Sequence, residues 1–193
     1  MQKTLLTAVS MLLLPYAAPP AAAQWDPRLV GTVTASPENR TGKDFVQATM
    51  TSSKFAFEAS KFALTRSRDP AIQGIARITI AFHAKFQTDL KSVTDRTFIN
   101  RRVTPPPVLN TSQKKMYNLL ETKFGPAFDT LYISQQLENH QDLLATVEGY
   151  AKHSQVPKLQ AFARRELPGV RDQLAKLHGI GANVAANVPG GRY

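Results

Sequence analysis

The side chains from which this 193-residue chain could build a reactive or metal-binding site are four histidines, because it has no cysteine. They are His83, His140, His153 and His178. An imidazole turned into an apolar setting must satisfy two ring nitrogens, through a side chain, a carbonyl, water or a metal. His140 stands in the middle of the stripe Ile133, Leu137, His140, Leu144, Val147 and Ala151, whose four-then-three spacing puts it on the inner face of a helix. Gln136 lies one turn back, with Asp129 and Tyr132 on adjoining positions of the same side. His83 has a similar place in the stripe Ile72, Ala76, Thr79, His83, Phe86 and Leu90. These residues predict a polar cluster at the centre of a helical bundle.

Two chemistries compete for that cluster. Di-iron and di-manganese bundles carry Glu-x-x-His on each of two helices, so that a carboxylate and an imidazole meet one ion. None of the four histidines has Asp or Glu three residues before it, which argues against an oxidase-type dinuclear centre. The metal reading is therefore a single divalent transition ion held by His83 and His140 with Asp129 or Asp172. The preferred reading is a hydrogen-bonded polar core with no resident cofactor. A third has His83, His140 and the aromatic residues between them lining a pocket for a small apolar ligand. No thiol nucleophile, Gly-x-Ser-x-Gly turn or phosphate-cradling glycine loop occurs, so no catalytic residue is assigned and the chain is read as a non-enzyme.

The elements that must position these side chains begin after an export signal. Lys3 and the apolar run Leu5 to Leu14 are followed by Ala21 and Ala23, the layout of a cleaved secretory peptide over residues 1–23. That run is about half the length a membrane-spanning helix needs. Residues 24–41 read as a flexible lead. Helix one starts near Thr41 to Asp44 and carries Phe45, Ala48, Thr49, Ser52, Phe55, Ala56, Ala59, Phe62 and Ala63 at three-and-four spacing. Asp69-Pro70 caps and opens helix two, which fades around Asp95 to Asn100. The run Arg101 to Pro107 contains Pro105, Pro106 and Pro107 and cannot be helical. Ser112 to Lys123 forms a short helix. Gly125-Pro126 opens helix three, over residues 126–152, and Ser154 and Pro157 open helix four.

On helix four, Leu159, Ala163, Leu167, Val170, Leu174 and Leu177 form the matching apolar face, and Pro168 kinks it. Residues 181–193 read as a disordered tail. Antiparallel neighbours in a bundle need only about two to eight linking residues, whereas a crossover along the bundle needs many more. The long Pro-rich connection between helices two and three therefore predicts an all-α, ferritin-like four-helix bundle over residues 42–180.

The net charge of +10 and pI near 10.0 favour polyanions as partners. For an exported chain these are lipid headgroups, lipopolysaccharide or wall polymers. Nucleic acid is not expected, because no aromatic-studded strand platform is present.

The chain also resembles a family. Phe45, Lys61-Phe62-Ala63-Leu64, Asp69-Pro70, Ala76 followed by His83, Phe128-Asp129 with Tyr132 and His140, and Leu167-Pro168 are similar to the bacterial domain of unknown function 4142, over about residues 43–178. The resemblance implies an exported, outer-membrane-associated protein with a ferritin-like fold. The family pattern tends to place a glutamate where this chain has Ala56, an aspartate at Phe82 and a histidine at Gln173. If the family's polar centre binds metal, this chain keeps only His83 and His140 of that set. The resulting expectation is a non-catalytic helical bundle of the periplasm or envelope, acting by interaction in stress tolerance or envelope maintenance. The alternative is a ferritin-like metal-binding or redox protein with a degenerate site.

Overall fold

The computed structural model describes residues 41–95 and 108–186. The signal over 1–23, the lead up to residue 40, the Arg101–Pro107 connection and residues 187–193 lie outside the described residues. Five helices form: α1 (Gly42–Arg66), α2 (Pro70–Asp95), α3 (Thr111–Glu121), α4 (Gly125–His153) and α5 (Pro157–Ala186). Local chemistry accounts for where they begin. Thr41 and Asp44 make a reciprocal capping box at the start of α1, and Asn110 and Gln113 do the same for α3. Asp69 Oδ1 accepts from the backbone N–H groups of Ala71 at 2.7 Å and Ile72 at 3.3 Å, tying off free donors of α2. Gly125 takes φ +55°, a conformation glycine adopts without strain, and Pro126 follows inside the first turn of α4.

The four long helices pack in a ring, α1 on α2, α2 on α5, α5 on α4 and α4 on α1. Phe45 stacks on Tyr150 at one end while Phe62 meets Phe128 at the other, so α1 and α4 run antiparallel. Helix α2 thereby lies diagonal and parallel to α4. Helix α3 sits against α1 and α4 near the end where α4 begins, with Gln113 and Leu120 as its buried residues.

Two apolar clusters fill the interior. One gathers Phe45, Phe86, Leu90, Leu143, Val147, Tyr150, Leu159, Phe162 and Val170. The other gathers Phe55, Ala59, Ile72, Ala76, Leu120, Phe128, Tyr132, Ile133 and Leu177. On every long helix the residues between them are polar and buried: Ser53, Thr79 and His83, Gln136, Asn139 and His140, and Gln173.

One boundary differs from the sequence reading. Helix α5 continues through Gly179 and Gly181 to Ala186, so residues 181–186 belong to the bundle. Ile180 and Val184 pack on the second cluster, and a Cβ at Gly181 would lie 3.2 Å from Ile133 Cγ2. Tertiary packing outweighs the low helix propensity of glycine there.

Candidate functional site

His83 and His140 meet in the middle of the polar layer. Both are fully buried, and their Nε2 atoms are 3.0 Å apart. The remaining contacts determine where each proton sits. His140 Nδ1 lies 2.7 Å from the Gln136 carbonyl oxygen, which can only accept, so His140 carries its hydrogen on Nδ1. Its Nε2 is then bare and accepts from His83 Nε2–H. A neutral His83 has a bare Nδ1, which accepts from the Ser53 hydroxyl at 3.0 Å. Ser53 Oγ in turn accepts from Gln87 Nε2 at 3.1 Å. The result is a one-way chain from Gln87 through Ser53, His83 and His140 to the backbone of α4, with both ring nitrogens of each imidazole satisfied.

Electrostatics keep the pair neutral. Burial lowers the His83 pKa well below its usual 6.5, and the neighbouring His140 lowers it further. Burial takes His140 down to about 4, more than the Gln136 carbonyl restores. Two further amides clamp α1 to α4 beside the pair: Gln136 Nε2 donates to Ala56 O at 3.3 Å, and Asn139 Nδ2 to Ser52 O at 3.1 Å.

The other residues expected at the centre divide. Gln136 is in the layer, and Gln173 is buried on α5. Tyr132 belongs to the second apolar cluster, where its hydroxyl lies 2.8 Å from Ser60 Oγ. Burial raises its pKa, more than the Ser60 and Thr79 hydroxyls lower it. Asp129 is buried near the start of α4, where burial raises its pKa more than the Ser67 hydrogen bond lowers it, and the neighbouring Asp69 charge adds to the rise. It does not join the imidazole pair. Asp172 does not enter the core at all: it is 58% exposed and pairs with Lys176 one turn along α5, because an unpaired carboxylate is cheaper to solvate than to bury. His153 and His178 are exposed. Ser53, Gln87 and Asn139 were missed, since a serine among small residues and amides on a charged helix give no periodic signal. A groove of about 520 Å³ lies between α2 and α5, against Ala71, Ile75, Ile78 and Ile180.

Can this donor set hold a metal? Nε2 atoms 3.0 Å apart are within the span of one ion, since metal–nitrogen bonds are about 2.0–2.1 Å. Gln136 Oε1 and Gln173 Oε1 are buried without a hydrogen-bond partner among the described residues. No group of three or more His, Cys, Asp or Glu able to hold an ion occurs among those residues. Among the described residues no carboxylate joins the pair to balance the charge of an ion. Among the described residues no helix is long and apolar enough to cross a membrane.

The comparisons with known proteins agree with the helical architecture. The solved structure of CopM in the Cu(II)-bound form superposes with a TM-score of 0.60 at 16% identity, covering 73% of this chain and 95% of that chain. At that identity the likeness is one of fold. No curated protein sequence matches. The sequence pattern of the domain of unknown function DUF4142 matches residues 30–180, a span that holds the bundle from α1 to the last turns of α5 together with both buried histidines, and the chain belongs to that family.

Proposed function

We propose that this chain is an exported, non-catalytic bundle of ferritin-like architecture that holds one copper ion, in its singly charged state, between Nε2 of His83 and Nε2 of His140. The observation that carries the reading is the pair itself: two neutral imidazoles, fully buried, with their Nε2 atoms facing each other at 3.0 Å. The fold is shared with a protein solved with bound Cu(II), which supports copper as the metal and leaves its charge to the site's own chemistry. Imidazole suits copper, and the absence of a carboxylate from the pair favours the lower charge, because the desolvation cost of an ion rises with the square of its charge. A bound ion would replace the hydrogen shared by the two Nε2 atoms, and the rings would have to part from 3.0 Å to about 4 Å to give it two opposed bonds of about 2 Å. The chain is prepared for that exchange. His83 can carry its proton on Nδ1 and donate to Ser53, whose oxygen accepts as readily as it donates and whose own hydrogen can turn to the His83 carbonyl 3.5 Å away. His140 is already held in the tautomer that leaves Nε2 bare. In the periplasm or envelope such a protein would serve tolerance of metal stress.

An anaerobic titration with monovalent copper against a chromogenic competing chelator tests this. One equivalent is expected to bind. His83→Ala and His140→Ala should each weaken binding about 100-fold or more, and Ser53→Ala, which frees the His83 tautomer, about tenfold. Substoichiometric copper, or affinity unchanged in His140→Ala, overturns the reading. A second reading, association with anionic envelope components, rests on the +10 charge and does not involve the imidazole pair; retention on envelope fractions that fades with salt supports it.

A further inference from the structure

Large apolar side chains left in water are few in this bundle, and three of them bracket one short helix. Val108 just before α3 is 53% exposed, Leu119 in its last turn 45%, and Phe124 just after it 65%. The charged residues between Val108 and Ala127 are Lys114, Lys115, Lys123 and Glu121. All four are exposed, and none of the three lysines makes an ion pair among the described residues. Phe124 is held outward rather than loose. The Arg66 guanidinium stacks on its ring at 4.0 Å and on Phe62 at 4.9 Å, while donating to the Glu121 carbonyl at 3.0 Å. A cation thus braces an exposed aromatic ring at the corner where α3 turns into α4, although burying that ring in the bundle would be favourable.

We infer that the outer flank of α3, from Val108 to Phe124, is a docking surface for an anionic phospholipid bilayer. A bilayer surface supplies together what this flank lacks: phosphates for unpaired lysines, and an acyl boundary for side chains such as Leu119 and Phe124. The apolar residues of this flank lie to either side of the lysines instead of forming one contiguous patch. The inference rests on the envelope-association reading, to which it adds the surface and the lipid class. It is independent of the imidazole pair.

The purified protein is mixed with phosphatidylcholine vesicles with and without about one quarter phosphatidylglycerol, and the bound fraction is measured by co-sedimentation. Binding is expected only with the anionic lipid, and falls with salt. Lys114→Glu with Lys115→Glu should lower partitioning about tenfold or more. Phe124→Ser with Leu119→Ser should lower it several-fold at low salt. Phe124 is the N-cap of α4 and makes no side-chain cap bond, a position where serine is favoured, so that variant should fold. The matched reversal Lys43→Glu with Lys152→Glu, on exposed lysines toward the far end of the bundle, should leave partitioning nearly unchanged. If the far-end reversal weakens binding as much as the α3 reversal, net charge is responsible, so the docking surface is refuted while envelope association stands. If Phe124→Ser with Leu119→Ser changes nothing, the surface is equally refuted. If the parent protein binds no anionic vesicle, the docking surface is refuted, and envelope association falls with it only if the protein is also not retained on envelope fractions. His140→Ala should bind vesicles like the parent, which separates this outcome from the fate of the copper proposal.

Discussion

Phe45 and His140 are both fully buried, one in the apolar cluster where α1 begins and the other in the polar layer at mid-bundle, and they hold the helices by different physics. The Phe45 ring stacks on Tyr150 with centroids 3.9 Å apart and meets the edge of Phe162 at 6.3 Å, contacts that many apolar side chains of similar volume could share. His140 has two directional bonds, one to His83 and one to its own helix, which no apolar residue could replace. The clusters supply most of the driving force, and the layer specifies which residues of α1, α2 and α4 stand opposite one another. Truncation therefore sharpens the contrast most at the ends. Phe45→Ala should destabilise by about 3–5 kcal/mol in urea unfolding of the metal-free protein. A loss below about 1 kcal/mol would mean that the apolar ends do not dominate.

The layer responds instead to protons. Both imidazoles are neutral when folded and have depressed pKa values, whereas the unfolded chain protonates near 6.5. As pH falls from about 6.5 toward about 4, the unfolded state takes up protons that the folded state refuses, so stability declines by up to about 1.4 kcal/mol per pH unit for each histidine. Above about 6.5 the full contribution is present; below about 4 the His140 share, about 3 kcal/mol, has been lost. Asp129 and Glu138, whose pKa values burial raises, act in the opposite sense: their folded forms hold protons longer, and they cost stability as pH rises past the unfolded carboxylate range. The double variant His83→Leu with His140→Leu separates the two. It removes both hydrogen-bonding partners together, a change that can be nearly neutral at pH 7.5, and its stability should vary much less between pH 7 and 5 than that of the parent. An unchanged slope would place the acid sensitivity outside the layer.

How much of this was legible depends on what signalled burial. The whole α2 face, Ile72, Ala76, Thr79, His83, Phe86 and Leu90, is buried as its spacing predicts, because apolar periodicity reports the core directly. The starts at Thr41, Asp69-Pro70 and Gly125-Pro126 were readable from capping chemistry. On α4 the reading was offset. Leu137 and Leu144 are only partly buried, while Gln135, Gln136 and Asn139 are buried. Amides count as outward in a polarity pattern, and their partners on α1, the carbonyls of Ser52 and Ala56, are backbone atoms that leave no trace in side-chain identity. Asp172 erred in the other direction. Its spacing to Lys176 already describes an exposed ion pair, and that pairing outweighs its value as an acidic ligand for the core.

The smallest contrast lies at the end of α5, where the sequence argued for a stop and packing continues the helix. Gly179 and Gly181 sit on opposite sides of that conflict. A Cβ at Gly179 would meet nothing within 4 Å, whereas one at Gly181 would lie 3.2 Å from Ile133 Cγ2 and 3.5 Å from Leu137 Cδ1. Alanine lowers the entropic cost of a helical position by about 0.5–1 kcal/mol relative to glycine. Gly179→Ala should therefore gain about that much in a thermal melt, while at Gly181 the crowding against two α4 side chains should consume most of the gain. If both variants gain equally, Ile133 gives way freely and the close approach of α5 to α4 is not what extends the helix past Gly181; if Gly181→Ala alone loses stability, the contact is tight enough to set the distance between the two helices at that end.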